Sequence, residues 1–321
     1  MNKLNVFFTI DTELWLHYDT FEENLNSAIY GVTNYGEYGI AHQLEVFKEH
    51  NLRAYYYIEP LFSLRYGKKP LDNIVKLVNS YQQEVGLHIH TEWITKKDTD
   101  FLKEPRTSNN IKDYTLEEQS QIINKGLQLL KASGADGIDS FRAGNYGGNL
   151  DTLKALESND IIYDTTYNFP YLNGACDMDF GTTLKDTCPY NGIYEFPVTY
   201  FHDYGKHPRH LQITACSLSE MKFVLSSAWQ QQRNSCTIVL HSFEWIKRIK
   251  KDKTKSHTLD KICLERFEGI CKYLADNQDK FCTPKYSEAV RKPVMSQPKN
   301  IQSNIFRAGI RIYEQIKRRK I

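Results

Sequence analysis

The sequence contains few cysteines and no long apolar run, and both shortages narrow the kinds of protein that it can encode. Seven cysteines occur among 321 residues, and no two of them form a CxxC pair. An odd number without that spacing argues against a disulfide framework and against a cysteine zinc site. No stretch of about 18 consecutive apolar residues is present, as a membrane-spanning helix would need. Because the apolar run Leu4 to Ile10 follows Met1 almost directly, we expect no signal peptide and a cytoplasmic protein.

The overall composition is that of a soluble globular protein with ample material for a core, since 25% of the residues are charged and 40% are hydrophobic. The formal net charge of +2 conceals two basic segments. Residues 247–255 and 304–321 each hold six basic residues and one acidic residue. Basicity confined to two segments does not predict a nucleic-acid-binding face, so no nucleic-acid partner is expected. Two solvated lysine-rich segments are the simpler interpretation.

Strand-like and helix-like segments alternate along almost the whole chain. The strand-like segments are 4–10, 52–58, 84–89, 138–142, 161–163, 193–196, 236–240 and 281–283. The helix-like segments are 38–49, 71–81, 116–132, 150–158, 218–231 and 259–275. This alternation predicts an α/β fold with parallel strands and outer helices. About seven to eight strands in this length favour a closed or nearly closed (β/α) barrel, although periodicity alone also allows an open sheet.

The carboxyl ends of the predicted strands carry ionisable side chains. Parallel α/β folds place their reactive groups at this edge of the sheet, on the loops that follow the strands. The residues found there are Asp11, Glu13, His88, His90, Arg142, Asp164 and His241. One polar residue after a buried strand is common. The joint occurrence of acids, an arginine and three histidines predicts a catalytic metal site.

The spacing of these residues agrees with metal binding. His88 and His90 are two residues apart, so they share one face of a strand and can converge on one ion, with Glu92 as a further candidate donor. Asp11 and Glu13 have the same spacing, which lets one carboxylate bind metal while the other stays available as a base. Two imidazoles and one carboxylate suit zinc, cobalt, iron or nickel and leave coordination positions open.

Such a site has the parts for metal-assisted hydrolysis of an amide or ester. A bound metal acidifies water and polarises a carbonyl group. Asp11, kept off the metal, could accept the water proton, and Arg142 could hold Asp11 ionised. His241 titrates near neutral pH and could protonate the leaving group. Structural alternatives stay open for all three: a cap for Asp11, an ion pair for Arg142 and a core position for His241.

The same residues, in the same order, resemble the polysaccharide deacetylases of the NodB-homology group, carbohydrate esterase family four, over roughly residues 3–290. The similar segments are 8–13, 84–90, 141–146 and 238–241, with 151–156, 161–165 and 194–198 also alike. The resemblance implies a distorted (β/α) barrel and a divalent metal held by one acid and two histidines. It also implies a free aspartate as base and a histidine as acid, acting on N-acetyl groups of sugars.

The sequence departs from the pattern of that family in three places. Asp11 and Glu13 are separated by Thr12 where two adjacent aspartates are usual, which assigns the metal carboxylate to Glu13. The two histidines are two residues apart rather than four, and Glu92 occupies the fourth position. A metal pair of His88 and Glu92, with His90 behind it, therefore stays open. Gly144 stands where proline is usual.

Aromatic residues in loops and two basic segments indicate where the substrate could bind. Trp15, Tyr146 and Trp245 are the expected sugar contacts, although an aromatic-rich loop can equally fold over its own core. Segment 247–255 follows His241 and could meet a phosphate or lipid pyrophosphate on the substrate. We expect residues 1–292 to form the barrel and 293–321 to form a linker and a basic amphipathic helix. That helix could touch an anionic membrane, or it could be solvated or docked on the barrel.

Taken with this resemblance, the sequence predicts a cytoplasmic, metal-dependent carbohydrate N-deacetylase that serves the assembly of a surface polysaccharide. Zinc is the first choice of metal, and cobalt, nickel and iron are the alternatives. Glu13, His88 and His90 are the expected metal ligands. Asp11 is the expected base, Arg142 its partner and His241 the acid, with Asp164 supporting them. Hydrolysis of a C–N bond in a small non-sugar amide is one alternative. A catalytically silent glycan-binding barrel is another.

Overall fold

The computed structural model describes residues 2–15, 19–95, 101–103, 107–248, 257–289 and 298–320. The described strands are β1 (Leu4–Thr12), β2 (Val32–Thr33), β3 (Gly36–Glu37), β4 (Ala54–Ile58), β5 (Glu84–Ile89), β6 (Ser140–Ala143), β7 (Tyr163–Asp164), β8 (Cys188–Tyr190), β9 (Ile193–Glu195), β10 (Tyr200–His202), β11 (Pro208–His210), β12 (Ser235–His241), β13 (Ile246–Arg248), β14 (His257–Leu259) and β15 (Phe281–Cys282). The described α-helices are α1 (Phe21–Leu25), α2 (Ile40–Glu49), α3 (Ser63–Tyr66), α4 (Lys69–Ser80), α5 (Leu116–Ala132), α6 (Leu150–Glu157), α7 (Leu218–Gln230), α8 (Lys261–Asp276) and α9 (Ile305–Lys320).

The chain divides into two compact units, of which the first contains the described residues of 2–54 and 199–320. Its central strand, β1, pairs in parallel with β12 on one side and with β15 on the other. All nine residues of β1 are buried, which explains its nearly continuous apolar sequence. Helices α7 and α8 begin at side-chain caps, where Ser217 and Asp260 accept backbone N–H groups.

The second unit contains the described residues of 55–198. Strands β4, β5, β6, β7 and β9 run parallel in this order, and β8 adds an antiparallel edge. Two glycines let its layers approach closely. A Cβ on Gly126 of α5 would lie 2.8 Å from the side chains of Leu87 and Ile89, and a Cβ on Gly86 would lie 2.6 Å from the Tyr57 ring. The helix and the neighbouring strand therefore fix the backbone that carries His88.

The predicted α/β class with parallel strands is confirmed, and every predicted strand and helix overlaps an observed one. The elements without a counterpart in the prediction are mostly short, such as the two-stranded ribbon β10–β11. Strands of two or three residues carry no detectable period, because their pairing depends on contacts made after the larger elements have packed. Within the described residues, no helix combines the length and the apolar character that crossing a bilayer requires.

Candidate functional site

In the first unit, two predicted site residues lie side by side at the ends of parallel strands. The register of β1 and β12 makes Asp11 the partner of His241. Asp11 is buried, and its carbonyl oxygen accepts the backbone N–H of Ser242 at 3.0 Å. The predicted placing of these two residues at one sheet edge follows directly from this register.

Glu13 lies next to this pair and is held by a tryptophan. The Nε1–H of Trp15 donates to Oε1 of Glu13 at 2.7 Å, and the same oxygen lies 4.0 Å from Nε2 of His241. Glu13 is buried, whereas Trp15 keeps 47% of its surface exposed and packs against Phe243 with ring centroids 5.1 Å apart. Trp15 therefore orients the carboxylate that the sequence assigned to the metal and still presents part of its ring to solvent.

His241 is fixed by Glu244, a residue that the sequence analysis did not select. The Nδ1 atom of His241 donates to Oε2 of Glu244 at 2.7 Å, and its backbone N–H donates to the same oxygen at 3.1 Å. The other carboxylate oxygen accepts from Gln212 Nε2 at 3.1 Å and from the backbone N–H of Thr214 at 3.0 Å. The carboxylate of Glu244 therefore has donors on both oxygens.

The electrostatics of this pair favour the charged form of the histidine. Burial by itself would lower the pKa of His241, but the hydrogen bond and charge of Glu244, together with the charges of Glu13 and Asp11, raise it to about 9. Burial would raise the pKa of the Glu244 carboxyl, and its bonds with His241 and Thr214 lower it instead. His241 is thus an imidazolium at neutral pH in this structure, as a proton donor must be.

In the second unit, His88 and His90 lie close together and each has its Nδ1 atom engaged. Their ring centroids are 4.9 Å apart. Nδ1 of His88 lies 2.8 Å from the carbonyl oxygen of Arg142, and Nδ1 of His90 lies 2.8 Å from Oε1 of Glu92. A carbonyl oxygen can only accept, so Nδ1 of His88 carries a proton and, in the neutral ring, Nε2 carries the lone pair. Metal-binding histidines are commonly held in this way by a carbonyl or carboxylate.

The same contacts bear on the choice between His90 and Glu92 as ligand. Glu92 uses a carboxylate oxygen to accept from His90, and 42% of its side chain is exposed. His90 is buried. The group of described residues that could hold a metal ion consists of Glu13, His88 and His90, all of them buried. One carboxylate and two imidazoles of this kind fit a zinc-type divalent cation.

Arg142 is fully buried beside these histidines. It is the register partner of His88 in β5 and β6. Its Nε and Nη2 atoms donate to the carbonyl oxygen and Oγ1 of Thr165, each at 3.2 Å, and its guanidinium lies 5.0 Å from the Tyr57 ring centroid. The backbone of Arg142 thus orients His88, while Thr165 and Tyr57 fix its side chain. Its predicted pairing with Asp11 stays a prediction.

Asp164 lies next to a second carboxyl group that the sequence analysis did not consider. Asp164 and Glu195 are register partners in β7 and β9, both are buried, and their carboxyl groups share a hydrogen bond. Asp164 also accepts from Oγ1 of Thr166 at 2.7 Å. Burial raises the pKa of Asp164, and burial with the charge of Asp164 raises the pKa of Glu195 well above its usual range. Each carboxyl group of the pair therefore holds its proton more tightly than a carboxyl group in water does.

Glu59 is a further buried acid that the sequence analysis missed. It directly follows β4 and accepts the backbone N–H groups of Leu61 at 2.8 Å and Phe62 at 3.1 Å. Burial raises the pKa of Glu59 to about 8, against the opposing charge of His90. Its position after a buried strand is the signal that selected Asp11, so the same rule could have found it.

The three predicted sugar contacts have different surroundings. Trp15 is partly exposed, and Tyr146 has a left-handed backbone (φ 57°) and packs on Tyr171 with ring centroids 5.3 Å apart. Trp245 is fully buried, stacks on Phe267 at 4.8 Å and donates to the carbonyl oxygen of Tyr38. These contacts make Trp245 a core residue, and no sugar contact is proposed for it.

Most of the predicted basic segment, residues 249–255, lies outside the described residues. Lys247, at its start, forms an ion pair with Asp260 at 3.0 Å and donates to the carbonyl oxygen of Arg318 at 2.5 Å. This lysine therefore holds parts of the first unit together.

Comparison with solved structures finds the same fold in a candidate polysaccharide deacetylase from Mycobacterium smegmatis, with a TM-score of 0.54 and 12% sequence identity over 92% of this chain and 95% of the other. A weaker similarity is to a family 4 carbohydrate esterase from Streptomyces lividans in complex with acetate, with a TM-score of 0.42 and 9% identity over 93% of this chain and 97% of the other. Another is to a candidate polysaccharide deacetylase involved in O-antigen biosynthesis from Bordetella bronchiseptica, with a TM-score of 0.38 and 14% identity over 98% of this chain and 90% of the other. No protein-family model and no curated protein matches the chain.

The similarity to polysaccharide deacetylases predicted from the motifs is therefore confirmed at the level of the fold. At 12% identity the likeness says nothing about activity. The function has to be argued from the residues of the site.

Proposed function

We propose that this protein is a metal-dependent hydrolase that removes N-acetyl groups from a carbohydrate. The observation that carries the proposal is the pair of buried imidazoles, His88 and His90, each held through Nδ1 by an oxygen acceptor. Metal-binding histidines are commonly held in this way, with Nε2 left for the ion. The choice of an N-acetylated sugar as substrate rests on the motif resemblance described above, and the fold shared with a candidate polysaccharide deacetylase agrees with it.

Glu13, His88 and His90 would hold one divalent cation, with zinc as the first choice and cobalt, nickel or iron as others. When bound, such a cation lowers the pKa of water and polarises the acetamide carbonyl. Trp15 and Glu92 have positioning roles, because each hydrogen bonds to one of the proposed ligands. In this proposal Glu92 orients His90 and does not bind metal itself.

The remaining residues move the protons of the reaction. Asp11 accepts a proton from the attacking water, with Arg142 as its proposed partner. His241 donates a proton to the sugar amine as the amide bond breaks, and Glu244 keeps His241 charged and oriented until that step. Asp164, paired with Glu195, supports this machinery from the sheet interior by keeping Thr165 and Thr166 in place beside Arg142.

The substrate is proposed to be an N-acetylated sugar or glycan, carried on a phosphate or lipid pyrophosphate, in the assembly of a surface polysaccharide. Trp15 and Tyr146 would contact its rings, because apolar faces of sugars pack well on aromatic side chains. The seven cysteines, all of them within the described residues, form no disulfide with one another. The proposed place of action is the cytoplasm.

Release of acetate from a panel of substrates tests the proposal. The panel contains N-acetylglucosamine oligosaccharides, a nucleotide-linked N-acetyl sugar, a lipid-pyrophosphate-linked N-acetyl sugar and N-acetylated amino acids. We expect the parent protein to release acetate from at least one of the sugars. The rate of release should fall by about 100-fold or more in Asp11→Asn. It should be unchanged in the control variant His42→Ala, because the ring of His42 pairs with Glu268. Release from the amino acids alone would favour a non-sugar amidase. Zinc binding without any release would favour a silent glycan-binding protein.

A further inference from the structure

Helix α9 exposes an unusual number of large apolar side chains. Six of them lie on this one helix of 16 residues: Ile305, Phe306, Ile310, Ile312, Tyr313 and Ile316 are 44% to 79% exposed. At 100° per residue, Ile305, Phe306, Ile312, Tyr313 and Ile316 share one side of the helix. We call these five residues the outer stripe. Large side chains in solvent are normal when they are scattered, but a contiguous stripe marks a binding surface.

The opposite side of α9 is fastened to the first unit by ion pairs. Buried Arg311 donates to Asp203 at 3.2 Å and to Glu220 at 3.1 Å. Arg266 of α8 donates to Glu314 at 2.6 Å, and Arg318 donates to Asp260 at 2.7 Å. Such buried pairs are costly to break, so the helix keeps this orientation. The outer stripe is therefore preformed and faces away from the protein.

The charges that remain on α9 decide what the stripe contacts. The helix contains six basic residues and one acidic residue. Arg311, Arg318 and Glu314 are used in the ion pairs described above. Lys317 and Arg319, on either side of the outer stripe, are exposed, and Lys317 lies 4.5 Å from the Tyr313 ring centroid. An apolar stripe flanked by cations, with a tyrosine and a phenylalanine in it, is complementary to an anionic lipid surface.

We propose that α9 is a peripheral membrane-binding element that inserts its outer stripe into an anionic bilayer, while the rest of the first unit stays outside the bilayer. Phe306, Tyr313 and Ile316 enter the boundary between head groups and acyl chains, while Lys317 and Arg319 meet lipid phosphates. The contact is reversible, because one amphipathic helix inserts only shallowly. This proposal does not depend on the catalytic one.

Co-sedimentation of the full chain with vesicles tests it. The vesicles are phosphatidylcholine alone or with phosphatidylglycerol, at physiological salt. We expect the protein to pellet with the anionic vesicles, and the partition coefficient to fall by about tenfold or more in a Phe306→Ser/Ile316→Ser double variant and about fivefold in Lys317→Glu. Tyr204→Ser is the matched control, because Tyr204 is 60% exposed elsewhere in the same unit.

Circular dichroism melts of all variants establish that each is folded. Equal pelleting of the double variant and the control would overturn the proposal, and so would equal binding to neutral and anionic vesicles. The alternative occupant of the outer stripe is a second copy of the chain, and light scattering tests for it by measuring the molar mass of the protein in solution. A dimer that the double variant dissociates, without vesicle binding by the parent protein, would replace the membrane with self-association.

Discussion

Replacing Glu244 by glutamine should lower the pKa of His241 without removing the side chain that holds its ring. Glutamine is nearly isosteric with glutamate, and its carbonyl oxygen can still accept from Nδ1 of His241, which lies 2.7 Å from the carboxylate in this structure. What disappears is the negative charge, together with the second acceptor, because the amide nitrogen of glutamine cannot accept from the backbone N–H of Thr214. The change therefore removes the charge of Glu244 while leaving an acceptor for Nδ1 of His241.

The size of the effect follows from the geometry. The pKa of His241 is raised from 6.5 to about 9, a difference that at ~1.4 kcal/mol per pH unit corresponds to roughly 3 kcal/mol in favour of the imidazolium. Burial opposes this rise, so loss of the charge of Glu244 leaves the desolvation of His241 less compensated. An opposite charge at this distance displaces a pKa by about 1 to 3 units, and we expect a fall of that size in Glu244→Gln.

Nuclear magnetic resonance titration of His241 in the metal-free protein measures this pKa without any substrate. In an active preparation, the alkaline limb of kcat/KM should move to lower pH by the same amount, because the proton donor then loses its proton earlier. Glu268→Gln is the matched control, since Glu268 lies 3.5 Å from His42 and not at the site. An unchanged pKa of His241 in Glu244→Gln, or an equal fall in both variants, would refute the reasoning.

Two further predictions concern stability. The pKa of Glu195 is raised in the folded state, so the unfolded carboxyl ionises first and stability falls as the pH rises above about 4. Glu195→Gln, which can donate to Asp164, should then raise the free energy of unfolding at pH 8 and change it little at pH 4. Urea denaturation at the two pH values checks this, and a greater loss at pH 8 would contradict it. Gly86→Ala places a methyl group 2.6 Å from the Tyr57 ring and should cost about 1 to 3 kcal/mol, whereas Gly309→Ala in open space on α9 should stabilise by up to ~1 kcal/mol. Thermal melts that show equal effects of the two substitutions would contradict the packing argument.

The fold and the strand-end residues were predictable because they depend on local patterns. A buried parallel strand such as β1 reads as a nearly continuous apolar run, and its end is marked by the first charged residue. Register then brings Asp11 beside His241 and His88 beside Arg142, since neighbouring parallel strands end at a common edge. The rule of strand ends predicted a common edge for these residues, and the register shows which of them are neighbours along it.

The residues that support the site were not predictable in the same way. Glu244 lies three residues after His241, and nothing in the sequence indicates that a turn brings its carboxylate back to the ring. Glu195 ends a strand of only three residues whose neighbours cannot be read from periodicity. Trp245 is one of the expected sugar contacts, but its stacking on Phe267 depends on where α8 packs. These contacts are set by tertiary structure alone.

The amount of metal in the purified protein tests the central claim, that Glu13, His88 and His90 hold one divalent cation. Elemental analysis after dialysis against a slight excess of zinc should give about one ion per chain for the parent protein. His88→Ala, His90→Ala and Glu13→Ala should each lose it, while Glu92→Ala should keep it with affinity reduced by about 10 to 100-fold. A parent protein without stoichiometric metal, or a His88→Ala variant that retains it in full, would contradict the account.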